Sequence, residues 1–234
     1  MFHVEQLASL TQPQTHFAAR YSRFDRRLSE ILDFATEVFA GKGYEGASMR
    51  DLSRLSGISL SGLYYYFESK ENLLYFIQRH TFTTIIGRLR ERLAGVSDPE
   101  KRLRIFVLNH VEYSLERPKA MKVLSHEDDV LRDDFGAELA EIKRQYYQLC
   151  VGLIEEVLKH EPLNEKVDHP INERTAVMSL FGAINWLYTW HKPEVDPDAE
   201  TLARQISDLF LAGLSGAAAV NRCSAPLTVR PRAK

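Results

Sequence analysis

Two short segments, each opened by a serine and separated by a single glycine, constrain this chain more than any other feature in it. Ser48 is followed three residues later by Asp51, the spacing of a capping box, and Met49, Leu52 and Leu55 form one apolar stripe behind it. The stripe spans barely two turns. Gly57 then supplies the backbone freedom for a tight turn, Ile58 is placed to plug a core, and Ser59 caps a second short helix through Phe67. Ser69 caps a further helix that meets no breaker before Gly95. Ahead of these segments, Leu28, Ile31, Leu32, Ala35, Val38 and Phe39 recur at helical spacing and stop at Gly41 and Gly43. A short helix, a glycine turn and a second short helix, held on a preceding amphipathic helix, make the helix-turn-helix pattern.

The remainder also reads as helix. Asp98-Pro99 places a cap and a first-turn proline before the stripe Leu103, Phe106, Val107, His110 and Val111. Arg117-Pro118 interrupts the chain before a helix carrying Met121 and Leu124. Leu139, Ile142, Tyr146, Leu149, Leu153 and Val157 then mark a long helix ending near Pro162. Residues 173–190 are apolar nearly all round, which in a globular protein means burial on two sides. Asp196-Pro197 opens a last helix through Leu202, Ile206, Leu209, Phe210 and Gly213. There is no alternating strand pattern and no internal repeat. The predicted fold is all-α: an N-terminal helix-turn-helix three-helix domain joined by a long helix to a C-terminal helical bundle. Its expected divisions are a flexible arm over 1–26, the helix-turn-helix domain over 27–75, the second domain over 76–216 and a disordered tail over 217–234.

Hydrophobic residues make up 44% of the 234, enough for a sizeable core. The first twenty residues lack a basic start before an apolar run, and the aromatic-apolar segment Met178 to Trp190 is too short to span a bilayer. A soluble cytoplasmic protein is expected, with no membrane partner. Cys150 and Cys223 have no spacing for a metal or a disulfide, and Cys150 reads as an inert buried thiol. No nucleophile–base pair, metal spacing or phosphate-cradling glycine loop is present, so an enzyme is not expected, nor a metal or cofactor. Glu127, Asp128 and Asp129 follow His126, but successive residues fan around a helix and do not converge on one ion.

Net charge is −2, but its distribution is uneven. Lys and Arg outnumber Asp and Glu by 12 to 10 in residues 1–94 and trail by 18 to 22 in residues 95–234. The basic excess sits in RYSRFDRR, where Arg20, Arg23, Arg26 and Arg27 meet only Asp25. Such a run alone is the mark of a solvated face; its place directly ahead of the helix-turn-helix gives it a nucleic-acid reading. With Leu63 inward and about 100° per residue, Phe67, Ser59, Leu60 and Tyr66 fall on or beside the inner face of the second short helix. Ser61 and Tyr65 point outward, flanked by Gly62 and Tyr64. Small residues let such a helix sink into a major groove, and tyrosine hydroxyls reach phosphates or base edges. The helix starts at Ser48, Ser59 and Ser69 aim amides at phosphates, with Lys70 at one of them and Arg50 on the outward face of the preceding helix. The candidate DNA contacts are therefore Arg20, Arg23, Arg27, Ser48, Arg50, Ser59, Leu60, Ser61, Gly62, Tyr64, Tyr65, Tyr66 and Lys70, beside a plainer reading of the tyrosines as packing and the serines as caps.

The stretch GKGYEGASMRDLSRLSGISLSGLYYYFESKENLL, residues 41–74, closely resembles the DNA-binding domain of TetR-type transcriptional repressors. The resemblance rests on Gly-Tyr, the serine at the second-helix cap, Gly57-Ile58-Ser59, Leu63-Tyr64, Phe67 and Ser69-Lys70-Glu71. One departure is visible: the usual order of a basic residue, glycine and a small polar residue is here Leu60, Ser61 and Gly62. A direct basic contact at position 60 is not expected, and the arginine arm takes over that charge. The resemblance implies a homodimer that binds a palindromic operator, and a divergent second domain for ligand binding and dimerisation.

FGAINWLYTWHKP, residues 181–193, together with SHEDDVL upstream, is similar to repressors of fatty-acid and steroid breakdown, whose inducers are acyl-CoA thioesters. The effector implied is a small hydrophobic acyl-CoA, with a pocket expected among His110, Tyr113, Met121, Tyr146, Asn185 and Trp186. Dimer contacts are expected at Phe181, Tyr188, Trp190, Leu209 and Phe210. From the residues alone, the aromatics of 185–190 suit a core or dimer contact as well as a pocket, and His110 suits a hydrogen-bonded core histidine as well as a ligand contact. Lys119, Lys122, Lys143 and Arg144 are the cations available to CoA phosphates. A lipid-binding or carrier protein of the same fold without DNA binding is the alternative; the arginine arm and the capped short helices argue against it.

Overall fold

The computed structural model describes residues 23–126, 130–160, 171–216 and 220–221. Arg20, the acidic run Glu127 to Asp129, Cys223 and most of the tail lie outside them. Helix α1, described from Arg23 to Gly46, places Leu28, Ile31, Leu32, Ala35, Val38 and Phe39 in the core, as its apolar spacing requires. Residues 23–26, assigned by sequence to the flexible arm, are its first turn. The helix runs through Gly41 and breaks at Gly43, whose φ of 72° and ψ of 163° belong to glycine rather than to a residue with a side chain. Of the two glycine stop signals, only the second acts.

Helix α2 (Met49–Ser56) starts on the expected capping box. The Ser48 hydroxyl accepts from the Asp51 amide at 3.2 Å, and the Asp51 carboxylate accepts from the Ser48 amide at 3.1 Å. Met49 and Leu52 are buried. Leu55, expected on the same stripe, is 55% exposed, because the helix ends before its last turn meets a neighbour. Gly57 closes α2 in the left-handed conformation (φ 67°), which turns the chain so that Ile58 enters the core. Helix α3 (Leu60–Tyr66) follows, capped by Ser59 and anchored by the fully buried Leu63 and Phe67.

Helix α4 (Lys70–Leu93) begins at the Ser69 cap and links the two domains. It packs on α1, α5 (Pro99–Glu116), α6 (Pro118–His126) and α7 (Asp133–His160). Helix α5 is central: it touches α4, α6, α7, α8 (Glu173–Asn185), α9 (Leu187–Trp190) and α10 (Ala199–Gly216). Asp98 caps it with proline in the first turn, and α6 starts at Pro118, both as the sequence predicts. A two-residue parallel pair joins β1 (Ile171–Asn172) to β2 (Val220–Asn221), so two residues assigned to the tail are tied down. The fold is otherwise helical throughout the described residues, and none of these helices is long and apolar enough to cross a membrane.

Residues 173–190 are not buried on two sides of the single chain. Ala176, Val177, Leu180, Ile184 and Leu187 face the core, while Met178, Trp186 and Trp190 are about half exposed. The helical run also breaks at Trp186 (φ −96°, ψ 4°).

Candidate nucleic-acid interface and effector site

Helix α3 presents Ser61, Tyr64 and Tyr65 to solvent, with Tyr65 55% exposed. The Ser59 hydroxyl is committed locally: it accepts from the Gly62 amide at 3.0 Å and lies 3.2 Å from the Ser61 hydroxyl. Gly62 has an internal explanation. A Cβ there would stand 3.0 Å from Ile58 Cγ2 and 3.0 Å from Ser59 Oγ, so the tightness of the turn selects the glycine. Leu60 and Tyr66 pack against the core, with the Tyr66 ring edge-on to Tyr65 at 5.3 Å. These two side chains are supports for the helix rather than parts of its exposed face.

Lys70, expected at a phosphate, is held inside the domain. Its Nζ donates to the Tyr44 carbonyl at 2.9 Å and the Ala47 carbonyl at 3.2 Å, and sits 3.9 Å from the Tyr44 ring centroid. The ammonium thus ties together two carbonyls that follow the break at Gly43, the Tyr44 carbonyl also accepting from the Ala47 amide at 3.2 Å. Ser48 is likewise engaged, donating its hydroxyl to Asp51 at 2.7 Å. Lys42 and Arg54 approach the same carboxylate at 2.9 Å and 2.8 Å. Hydrogen bonds from Lys42 and Ser48, above all, hold Asp51 down to about 2. Arg27 pairs with Glu30 at 2.8 Å, whereas Arg50 is exposed with no ion pair among the described residues. Arg23 stands in the first turn of α1.

In the second domain, His110, Tyr146 and Asn185 come together. His110 Nδ1 lies 3.0 Å from the Tyr146 hydroxyl, and both residues are only 3% exposed. Phe106 stacks on Tyr146 with centroids 5.2 Å apart; Phe181 covers Tyr146 at 5.7 Å and His110 at 6.2 Å. Phe181, expected at the dimer contact, therefore belongs to this aromatic cage. Burial holds His110 down to about 4, so it is neutral at physiological pH. The nearby Asn185 side chain opposes that shift without a well-formed hydrogen bond to Nε2. Burial also raises the pKa of Tyr146 and of the fully buried Cys150.

The other expected pocket residues separate. Met121 is buried in α6. Trp186 is at the surface, stacked on Tyr188 at 6.0 Å, because the break after Asn185 turns it outward. Tyr188 contacts His126 through its hydroxyl at 3.3 Å and packs partly on the core, as Phe210 does. Trp190 and Leu209, at 46% and 78% exposure, remain on the outside with Met178.

Tyr113, one turn beyond His110 on α5, lines a cleft of about 610 Å³ between α1, α4 and the α5–α6 junction. Phe34, His80, Arg88, Arg117 and Lys119 share its walls. Sequence reading passed over Phe34, Arg88 and Arg117; the one available signal was Phe34, an aromatic standing off the apolar stripe of α1. Arg88 lies 5.6 Å from the Tyr113 ring and pairs with Glu116 at 2.8 Å. Arg117 reaches Asp33 of α1 at 2.9 Å, and Lys119 pairs with Glu37 of the same helix. Of the remaining candidate cations, Arg144 pairs with Glu141 on its own helix, Lys122 is exposed, and burial holds Lys143 down to about 8.

Family comparisons agree with the fold. Residues 31–75 match the family described as bacterial regulatory proteins, tetR family. Residues 96–214, more than half of the chain, match the tetracyclin repressor-like C-terminal domain. The chain belongs to the TetR family. The HTH-type transcriptional repressor KstR2 of Rhodococcus jostii (strain RHA1) is 25% identical over 190 residues, covering 81% of this chain and 91% of the relative. The fatty acid metabolism regulator protein of Bacillus subtilis (strain 168) is 22% identical over 79% of this chain and 94% of its own. The crystal structure of AibR in complex with isovaleryl coenzyme A and operator DNA has the same fold, with TM-score 0.68 at 22% identity over 78% of this chain and 97% of that one. This TetR-family protein is a DNA-binding transcriptional regulator, and not an enzyme. Regulators of this family bind operator DNA as homodimers and respond to small molecules.

Proposed function

We propose that the protein is a repressor released from its operator by an acyl-CoA. The observation that carries this reading is the pair of adjoining environments on α5: a cleft at Tyr113 whose walls carry Arg88, Arg117 and Lys119, each paired with a carboxylate of the same walls, and, one turn away, the aromatic cage around His110. An acyl-CoA needs both, a cationic mouth for its phosphates and an apolar interior with few polar groups for its acyl chain. In this reading Arg88, Arg117 and Lys119 hold the phosphates while the acyl group passes Tyr113 towards His110, Tyr146 and Asn185. Arg117 and Lys119 are also the residues that pair with Asp33 and Glu37 of α1. Phosphates compete for these cations, so effector binding loosens the tie between the sensor and the helix that carries the DNA-binding domain.

On the DNA side, Ser61, Tyr64, Tyr65 and Arg50 make the operator-facing surface. Met178 of α8, Trp190 of α9 and Leu209 of α10, with the open glycines Gly182 of α8 and Gly213 of α10, form the dimer face. Two recognition helices read two half-sites only at a fixed separation, so a ligand that favours another separation releases DNA. Fatty-acid and steroid regulators among the relatives and the isovaleryl-CoA complex of AibR support the effector class.

The test is calorimetric titration of acyl-CoAs from hexanoyl to palmitoyl, with and without an operator duplex selected from a random pool. Linkage requires operator to weaken acyl-CoA binding by the same factor by which acyl-CoA weakens operator binding. Equal affinities in the two titrations exclude the acyl-CoA as inducer. If no chain length binds while the operator does, the effector class is wrong and the DNA-binding reading stands.

A further inference from the structure

His110 Nε2 is buried and has no hydrogen-bond partner among the described residues. The proton on this ring can be placed from its neighbours. Tyr146 has one hydrogen-bond partner among the described residues, His110 Nδ1 at 3.0 Å, and the cage around it is Phe82, Phe106 and Phe181. If Nδ1 carried the proton, the phenol hydrogen would be stranded in that apolar cage. With the phenol donating to Nδ1, both groups are satisfied, and the neutral imidazole must then carry its hydrogen on Nε2. Nε2–H is thus a buried donor awaiting an acceptor. Asn185 stands beside it without completing the bond. Buried polar groups rarely stay unpaired, because each lost hydrogen bond in an apolar interior costs free energy, and a persistent exception calls for a functional account.

Resting on the acyl-CoA reading, we infer that His110 Nε2–H is the donor that reads a carbonyl oxygen of the effector, so that the cage selects acceptor-bearing ligands over purely hydrocarbon ones. Two oxygens have this chemistry: the thioester carbonyl, present in every acyl-CoA, and a ketone carried by the acyl group itself. Phe106 and Phe181 exclude water from the bond, which is why one acceptor more or less should matter here more than one methylene. A site built to pair with a polar group rejects the analogue that lacks it far more strongly than an apolar pocket rejects a change in chain length.

Calorimetry on the full-length dimer with matched ligands separates the sources. At the best-binding chain length three probes are compared: the saturated acyl-CoA, the corresponding S-alkyl-CoA thioether without the carbonyl, and an acyl-CoA bearing a chain ketone. If the thioester is read, the acyl-CoA binds at least about fivefold tighter than the thioether. If a chain ketone is read, the keto ligand exceeds the saturated one by a similar factor. In either case His110→Phe, which keeps the ring volume but not the donor, should collapse that gap, and His110→Gln, which keeps a donor, should restore part of it. Circular dichroism and thermal unfolding establish that both variants fold; if His110→Phe does not, the gap and its survival in His110→Gln decide. Three equal affinities in the wild type, or a gap that survives in His110→Phe, overturn the inference while leaving the acyl-CoA reading intact, and would assign Nε2 to Asn185. If none of the three probes binds while operator binding persists, the acyl-CoA reading falls and this inference with it.

Discussion

Tyr65 and Ser61 are exposed on a helix whose stability rests on Leu63 and Phe67 on its opposite face. Tyr65→Ala should therefore weaken operator binding by about 1–3 kcal/mol, the worth of a direct contact to DNA, and leave the melting temperature within a degree or two. Fluorescence anisotropy with a labelled operator, beside a thermal melt, checks both halves of this expectation; unchanged affinity would mean that α3 docks by another face. Asp51 makes a prediction in pH instead. Its pKa is depressed to about 2 from an ordinary 3.8, so the stability it contributes is complete above about pH 4 and is lost as pH falls through 2. The difference in melting temperature between wild type and Asp51→Asn should be constant from pH 5 to 7 and shrink between pH 4 and pH 2.

Between elements, the contact that most changes the reading of the DNA-binding domain is the Lys70 clasp on the α1–α2 turn. Two charge-assisted hydrogen bonds to carbonyls make this ammonium a structural group, although its sequence position at a helix start suggests a phosphate ligand. Lys70→Met should lower the stability of the domain by about 1.5–3 kcal/mol, the range for hydrogen bonds to a charged group. The slope of operator affinity against salt should stay unchanged, where loss of a phosphate contact would reduce it by about one. Measuring the denaturation midpoint and the salt slope on the same variant separates the two roles. Gly57 is the second element-level device: at φ 67° a side chain is strained, so Gly57→Ala should destabilise by about 1 kcal/mol or more through the α2–α3 turn alone.

At the scale of the whole molecule, Leu209 is the most exposed large apolar side chain among the described residues, and Trp190 and Met178 are close to half exposed. An isolated protomer gains nothing from this surface, whereas a symmetric pair of α8 and α10 helices would remove it from water. Leu209→Glu should shift the protein from dimer to monomer in sedimentation velocity and reduce operator binding by tenfold or more. It should also leave the helical content unchanged, because Leu209 makes no part of the core of its own chain. Retention of a full-strength dimer would move the interface elsewhere.

The all-helical fold, the boundaries at Asp98-Pro99 and Arg117-Pro118 and the capped helix-turn-helix were legible in the sequence because each depends on residues within one or two turns. Caps, breakers and apolar period are local, and Ser48 with Asp51 forms the bond its spacing announces. The family was legible for the same reason, its motif being contiguous. What stayed hidden depends on residues far apart in the chain. Whether Lys70 faces solvent or carbonyls was decided by Tyr44 and Ala47, 26 and 23 residues earlier. Phe181 went to the cage because α5 and α7 bring Phe106, His110 and Tyr146 to it, and Trp186 went to the surface because the helix breaks after Asn185. The clasp of Arg117 on Asp33 spans 84 residues. Which segments are helices is thus written in residues close along the chain, whereas the break at Trp186 and the face that each helix turns to another belong to the packing, since a side chain's partner across the fold is set by the sum of all the contacts and not by its own neighbours along the chain.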